Sequence, residues 1–364
     1  MSEKALIVTF KDQYAQQEIV ELAEATGLTA VHVLPVKEIG IGKYGISSGK
    51  ALELKDVVQR YDPDVVIVDE QLTASQIYNL SKLINRKVID RIRLILDIFE
   101  KRAMTTEAKL QVKLAELQYE IPRLKELVRM RRMGEQTGPM GYGAYEIEKY
   151  MRFLKRQIVV LREKLEKERR RRELHRQKRY ESNSFIVSLA GYTGAGKSTL
   201  FNRLSGENAR ITGKPFTTLT TTFRKVKGLD DVYVVDTVGF IERLPHFLIE
   251  SFRSTLEELK YADLVLLVVD SSLPEKEFWR KYNASIKVLQ ELEIDLKNVI
   301  AVLNKLDARK YELKFQDERI SGYVEISALL GINIEGLLEK IKEKRFEKGQ
   351  IIGSAGSVSP DLSG

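Results

Sequence analysis

The stretch SFIVSLAGYTGAGKSTLF at 184–201 decides the reading of the chain. Its first seven residues, apolar but for Ser184 and Ser188 and followed by glycine, have the pattern of a buried strand. GYTGAGKS at 191–198 matches GxxxxGK[ST], and the residues after it carry helical spacing. Strand, glycine loop and helix in that order build a phosphate cradle. Gly191, Gly194 and Gly196 let backbone N–H groups turn inward at the positive end of a helix. Lys197 can reach the terminal phosphates, and the Ser198 hydroxyl can bind Mg²⁺. The whole loop, with Tyr192, Thr193, Ala195 and Thr199, is therefore a candidate nucleotide-binding segment.

The remaining parts of such a site follow in order. DTVG at 236–239 closes an apolar strand, so Asp236 is expected in the magnesium shell, with Thr237 and Val238 beside it and the Gly239 N–H on a γ-phosphate. NKLD at 304–307 ends a further strand. A carboxylate at Asp307 can accept from both N1–H and the 2-amino group of guanine, which adenine cannot supply. An unmatched buried polar group costs about 1–3 kcal/mol, so GTP is favoured over ATP. Asn304 and Lys305 belong to the same motif, and Ser327, Ala328 and Leu329 after the last strand resemble the loop that meets the guanine carbonyl. PFTTLTTTF at 215–223 lies where a first switch belongs, and Thr218, ahead of Thr217, is the expected Mg²⁺ hydroxyl. Lys197, Thr218 and Gly239 are the residues expected to act on the transferred phosphoryl group. Phe240 stands where Ras-like proteins carry a water-orienting glutamine. Phenylalanine cannot hold a nucleophile by hydrogen bonding, so either hydrolysis is slow or the missing group comes from elsewhere in the chain, an ion or a partner.

Composition narrows the rest. The chain has 364 residues with no cysteine, which excludes a disulfide scaffold, a Cys-ligated zinc site and a thiol nucleophile, and its three scattered histidines argue against a His-based metal site. No apolar run reaches the ~20 residues of a membrane span, and MSEKALIVTF enters a strand without a signal-peptide pattern, so a cytoplasmic protein without membrane contact is expected. The net charge of +8 is concentrated. Residues 1–100 carry 12 Lys and Arg against 15 Asp and Glu, residues 101–180 carry 23 against 11, and residues 181–364 carry 25 against 26. One basic segment of net charge +12 thus sits between two near-neutral blocks.

Upstream of the glycine loop, short apolar strands at 4–10, 30–35 and 64–70 and the short strand RKVID alternate with helical stretches, which predicts a small parallel α/β sheet over 1–90. Its loop IGIGKYGISSGK at 39–50 fits no phosphate-binding pattern, and Gly45 and Gly49 read as turn residues. Residues 91–180 show no strand. Leu110, Leu114, Leu117, Ile121, Leu124 and Val128 form one heptad stripe, and Ile147, Met151, Leu154, Ile158, Leu161 and Leu165 form another. Two matched stripes separated by the glycine-rich 131–145 predict an antiparallel helical hairpin, with a kink expected at Pro122. The second helix runs into LREKLEKERRRRELHRQKRY at 161–180, where Arg169–Arg172 wrap a whole turn. That wrap suits a phosphate-rich partner, whereas Glu166–Arg170 suits a solvated face of ion pairs. A Ras-like P-loop domain is expected over 181–346 and a flexible tail over 347–364.

With these motifs in place the chain resembles the HflX family of translation-factor-class GTPases. The resemblance rests on RKVIDRIRLILDIFEKRAMTTEAKLQVKLAELQYEIPRL at 86–124, VVIVDEQLTASQIYNL at 65–80, KYGISSGK at 43–50, GYTGAGKSTLFN and DTVGFIERLP, and covers about residues 4–345. It implies a Mg²⁺-dependent GTPase binding GTP and GDP that associates with the large ribosomal subunit and its rRNA. It also implies a role in splitting or rescuing stalled ribosomes under stress. Potassium enters as a further cation by the same resemblance, although Gly194 stands where bacterial members usually have asparagine. The tip GEQTGPMGYGAYEIE is a loose version of the family's glycine-rich loop and lacks its internal arginine. These departures fit an archaeal-type member, expected as a monomer. Two alternatives stand beside this reading. One is a signalling switch whose coiled-coil hairpin docks a protein partner. The other is an N-terminal ATP-dependent RNA-remodelling unit.

Overall fold

The computed structural model describes residues 2–132, 144–181, 184–206, 222–241 and 253–355, with 216, 243, 247 and 248. Contacts divide the chain into two compact units. The first comprises Met1–Glu173 with Lys214–Leu219 and Leu244–Phe252, and the second holds Leu174–Gly213, Thr220–Arg243 and Arg253–Gly364.

The first unit begins as the expected parallel sheet. Strands β1 (Lys4–Phe10), β2 (Thr29–Val36), β3 (Val65–Val68) and β4 (Lys87–Asp90) lie in the order β2-β1-β3-β4. Helices α1 (Gln13–Ala25), α2 (Ser48–Tyr61) and α3 (Ala74–Ile84) make the crossovers. Asp12, Ser47 and Thr73 cap them, each accepting a first-turn N–H. Gly45 is a packing glycine: its φ is 74°, and a Cβ there would stand 2.5 Å from Leu72 Cδ2. Gln76 Nε2 donates to Gly40 O and Gly42 O at 3.0 Å each, so the 39–50 loop is closed by a helix side chain.

Helix α4 (Arg91–Arg102) packs on α1 and the sheet, burying Ile92, Leu94, Ile95, Leu96, Ile98 and Phe99. The expected helical block from 91 therefore opens with a helix of the sheet core, and the chain breaks at 103–105 before α5 (Thr106–Arg132). α5 continues on both sides of Pro122. α6 spans Ala144–Glu181, and the tip 133–143 lies outside the described residues. The two heptad stripes meet as expected in one buried cluster: Leu114, Leu117 and Ile121 of α5 with Leu154 and Leu161 of α6. Truncating one such leucine to alanine costs about 2–5 kcal/mol.

Asp90 ties the sheet to α5. Its carboxylate accepts from Arg93 N at 2.9 Å and Leu72 N at 3.1 Å, and from Tyr119 Oη at 2.7 Å and Arg123 Nη1 at 3.2 Å. Next to it, Arg91 is fully buried between Asp69 and Glu18, each at 2.7 Å. Burial alone would lower its pKa, but the two carboxylates outweigh it and the net shift is upward. Phe216, at φ 55° and buried, sets its ring edge-on to Phe99 with centroids 4.8 Å apart.

The second unit is a six-stranded sheet, β10-β9-β8-β5-β7-β6. Its strands are β5 (Phe185–Gly191), β6 (Thr222–Val226), β7 (Leu229–Asp236), β8 (Leu264–Asp270), β9 (Val299–Asn304) and β10 (Tyr323–Glu325). All pairings are parallel except β6 with β7. Helices α7 (Lys197–Ser205), α8 (Arg253–Lys260), α9 (Glu275–Glu291) and α10 (Ile334–Ala355) complete it. β5, β8 and β9 are buried at every position save the last residue of β8, as central strands covered on both faces must be. α10 runs past 346, the expected end of the P-loop domain, so the first nine residues of the expected flexible tail are helical; 356–364 lie outside the described residues.

Candidate nucleotide-binding site

The second unit brings the ordered motifs to the carboxyl ends of β5, β7 and β9, where ligands bind in open α/β sheets. The glycine loop leaves β5 through Gly191 at φ 137°. A Cβ there would lie 2.1 Å from Val268 O of β8, so only hydrogen fits between the strands. Gly196 caps α7 at φ 95°, and a Cβ would meet Asn304 Nδ2 at 2.3 Å. Gly191 thus answers to the backbone of β8, and Gly196 to the Asn304 side-chain amide.

Lys197 is buried, and its Nζ donates to Gly191 O at 2.9 Å and Tyr192 O at 2.8 Å. Burial pushes its pKa down to about 8, against the upward pull of the Asp236 carboxylate. A lysine held by two loop carbonyls beneath the cradle presents one strong cation to any phosphate placed there. Ser198 Oγ donates to Asp236 Oδ2 at 3.0 Å, bringing together the two described residues expected at magnesium. A hydroxyl and a carboxylate are the hard oxygen donors that Mg²⁺ takes, with water and phosphate oxygens completing its octahedron. Thr237 is buried and donates from Oγ1 to Leu189 O at 2.7 Å, which fixes the segment leaving β7.

That segment docks on the glycine loop. Phe240 N donates to Gly191 O at 3.0 Å, and Thr193 N donates to Phe240 O at 2.8 Å, a parallel bridge that continues the β5–β7 pairing. Gly239 lies over the lysine: a Cβ would stand 2.9 Å from both Lys197 Nζ and Thr193 Cγ2. Phe240 is buried, so it serves as a packing residue in this arrangement.

At the end of β9, Asn304 reaches in two directions. Its Nδ2 donates to Ala195 O at 2.8 Å, and its Oδ1 accepts from Ala328 N at 2.9 Å. Lys305, at φ 64°, donates from Nζ to Asp270 Oδ2 at 2.6 Å. Asp307 is exposed at the rim. Ser327 is buried, and its Oγ accepts from Leu330 N at 3.1 Å, which shapes the 327–332 loop; Leu329 is exposed.

Three contributors escape sequence reading. Arg203 of α7 donates to Ala328 O at 3.1 Å and Leu329 O at 2.5 Å. Asp270 holds Lys305, and Lys281 lies 4.9 Å above the Tyr192 ring. None sits in a motif; the position of Asp270 at a strand end was the available signal. Thr217 and Thr218 fall outside the described residues.

Family models match along the chain: "GTP-binding GTPase N-terminal" over 13–100, "GTP-binding GTPase Middle Region" over 102–179 and "50S ribosome-binding GTPase" over 186–305. Among curated relatives, GTPase HflX of Thermococcus kodakarensis is 41% identical over 340 residues, covering 93% of this chain and 76% of that protein. The Methanocaldococcus jannaschii GTPase HflX is 42% identical, with 91% and 83% covered, and that of Escherichia coli is 35% identical, with 92% and 80% covered. Among solved structures, the complex of SsGBP with GDP aligns with a TM-score of 0.55 at 27% identity, over 95% of this chain and 99% of that one. With all three blocks matched and relatives at 35–42% identity across nine-tenths of its length, the chain belongs to the HflX family of GTPases.

Proposed function

We propose that the chain hydrolyses GTP to GDP and phosphate with Mg²⁺ held by Ser198, Asp236 and Thr218, and that it does so slowly until it meets the large ribosomal subunit. The observation that carries the nucleotide half is the 3.0 Å pairing of Ser198 with Asp236 beside the buried Lys197. Lys197 neutralises the charge that develops on the transferred phosphoryl group, and the Gly239 N–H orders the second switch, 236–243, on it. Asp307 selects guanine, with Asn304 and Ala328 setting the distance between base and phosphate subsites. Phe240 offers no group that orients water, and of the three sources open to the missing group, the rest of the chain, an ion or the partner, we take the partner.

The basic segment supports the other half. A net charge of +12 over 101–180 suits a phosphate-rich partner, and the family model matched by 186–305 carries the description "50S ribosome-binding GTPase". No described helix is long and apolar enough to cross a membrane. GTP turnover is to be measured with and without large ribosomal subunits at two salt concentrations. A large, salt-sensitive stimulation supports the reading. Turnover that is unchanged by the subunits contradicts it.

A further inference from the structure

The exposed cations of α6 differ in whether a carboxylate faces them. Arg169 and Arg170 both face Glu166, at 4.0 and 3.7 Å, and so form an ion-paired surface. Lys149, Arg156, Lys164 and Lys167 are exposed, and none has a hydrogen bond or ion pair among the described residues. Together with Phe153 and Val160 they fall at spacings of 4, 3, 4, 4 and 3. That spacing is one stripe of a helix, about 27 Å long. It contains no carboxylate. It is also separate from the buried seam of Leu154 and Leu161, so packing of the helical pair does not account for it.

The apolar members of the stripe are large and open to solvent. Phe153 is 52% exposed and Val160 48%. Tyr150, 47% exposed, sets its ring beside that of Phe153 with centroids 6.3 Å apart and planes 21° from parallel. Two nearly parallel exposed rings at one end of an unneutralised cationic track match the two needs of unpaired nucleic acid, stacking faces for bases and cations for the backbone. Double-stranded RNA would engage the cations but leave the rings idle, because its bases are already stacked. A helical protein partner would call for a continuous aliphatic seam, whereas here cations interrupt the apolar positions.

We propose that this face of α6 binds unpaired RNA, with bases stacked on Tyr150 and Phe153 and the backbone following Arg156, Lys164 and Lys167. The inference rests on the RNA-binding reading of the basic segment and adds the face used and the strand state recognised.

The test is fluorescence anisotropy on the full chain, using a labelled short oligouridylate and a labelled blunt RNA duplex over a salt series. The double variant Tyr150→Ala/Phe153→Ala changes exposed side chains only. It is expected to weaken oligouridylate binding about ten-fold or more, with duplex affinity held within about two-fold and the salt slope unchanged. Lys164→Glu/Lys167→Glu is expected to weaken both ligands and flatten the slope. Wild-type binding of oligouridylate that the aromatic variant leaves unchanged, or an equal loss on both ligands, overturns the stacking face while the RNA reading stands. A wild-type chain that binds neither RNA at low salt overturns that reading and this inference with it.

Discussion

The Asn304 side chain spans the nucleotide site: its Nδ2 donates to Ala195 O at 2.8 Å, and its Oδ1 accepts from Ala328 N at 2.9 Å. One buried amide therefore ties the 191–198 loop to the 327–332 loop, the two loops proposed to meet phosphate and base. Asn304→Ala leaves a buried carbonyl and a buried N–H without this partner, at about 1–3 kcal/mol each. GDP affinity should fall by about ten-fold or more, and the melting temperature should drop. Calorimetric titration and thermal unfolding check both.

Lys197 gives a pH dependence with a definite sign. Its pKa in the folded protein is pushed down to about 8, mainly by burial, whereas a phosphate partner favours the charged form. Nucleotide binding then takes up a proton once the pH exceeds about 8, so GDP affinity should fall as pH rises through that value. Between pH 8 and the ordinary lysine range the unfolded chain binds more protons, so the stability of the unliganded protein gains over that window relative to Lys197→Met. Titrating GDP into the wild type and Lys197→Met across this range separates the lysine from the guanine N1–H, which both share.

Gly239 has no room for a side chain, because a Cβ would stand 2.9 Å from Lys197 Nζ and 3.2 Å from the Thr193 Cα. Gly239→Ala must push the second switch off the phosphate loop or displace the lysine. GTP turnover is expected to drop ten-fold or more, with GDP affinity within about three-fold, since the clash lies on the γ-phosphate side. Paired turnover and binding assays resolve the two effects.

Asp307→Asn replaces a double acceptor with a group that donates on one side. Guanine nucleotide affinity should fall about ten- to one-hundred-fold, and xanthine nucleotides, which carry a carbonyl in place of the 2-amino group, should gain. Competition of GDP and xanthosine diphosphate for the variant reads the switch directly.

Much of this site was legible because its parts are local. GYTGAGKS, DTVG and NKLD are each contiguous, and each follows a strand whose apolar run marks it. The sheet in the first unit and the paired stripes of α5 and α6 were likewise readable, since their periods of two and three-and-a-half residues are local signals. What escaped was long-range. Arg203 reaches Ala328 and Leu329 across 125 and 126 residues, and no spacing announces it. Phe216 lies among threonines that drew attention for their hydroxyls, yet its ring is buried against Phe99 of α4. The basic run at 169–172 stood out by composition, whereas the unpaired cations between 149 and 167 emerged only when the ion pairs with Glu166 were known. α10 runs into the expected tail because two glycines at 349 and 353 do not forbid helix when the preceding turns already propagate it.

With the proposed GTPase site and the basic segment in one chain, the nucleotide state is expected to control attachment to the large ribosomal subunit. The most direct measurement is co-sedimentation of the full chain with large ribosomal subunits, loaded with either GDP or a non-hydrolysable GTP analogue, at low and moderate salt. The expected result is retention in the analogue state, loss with GDP, and a steep fall with salt. Equal retention in both states, or none in either at low salt, would contradict it.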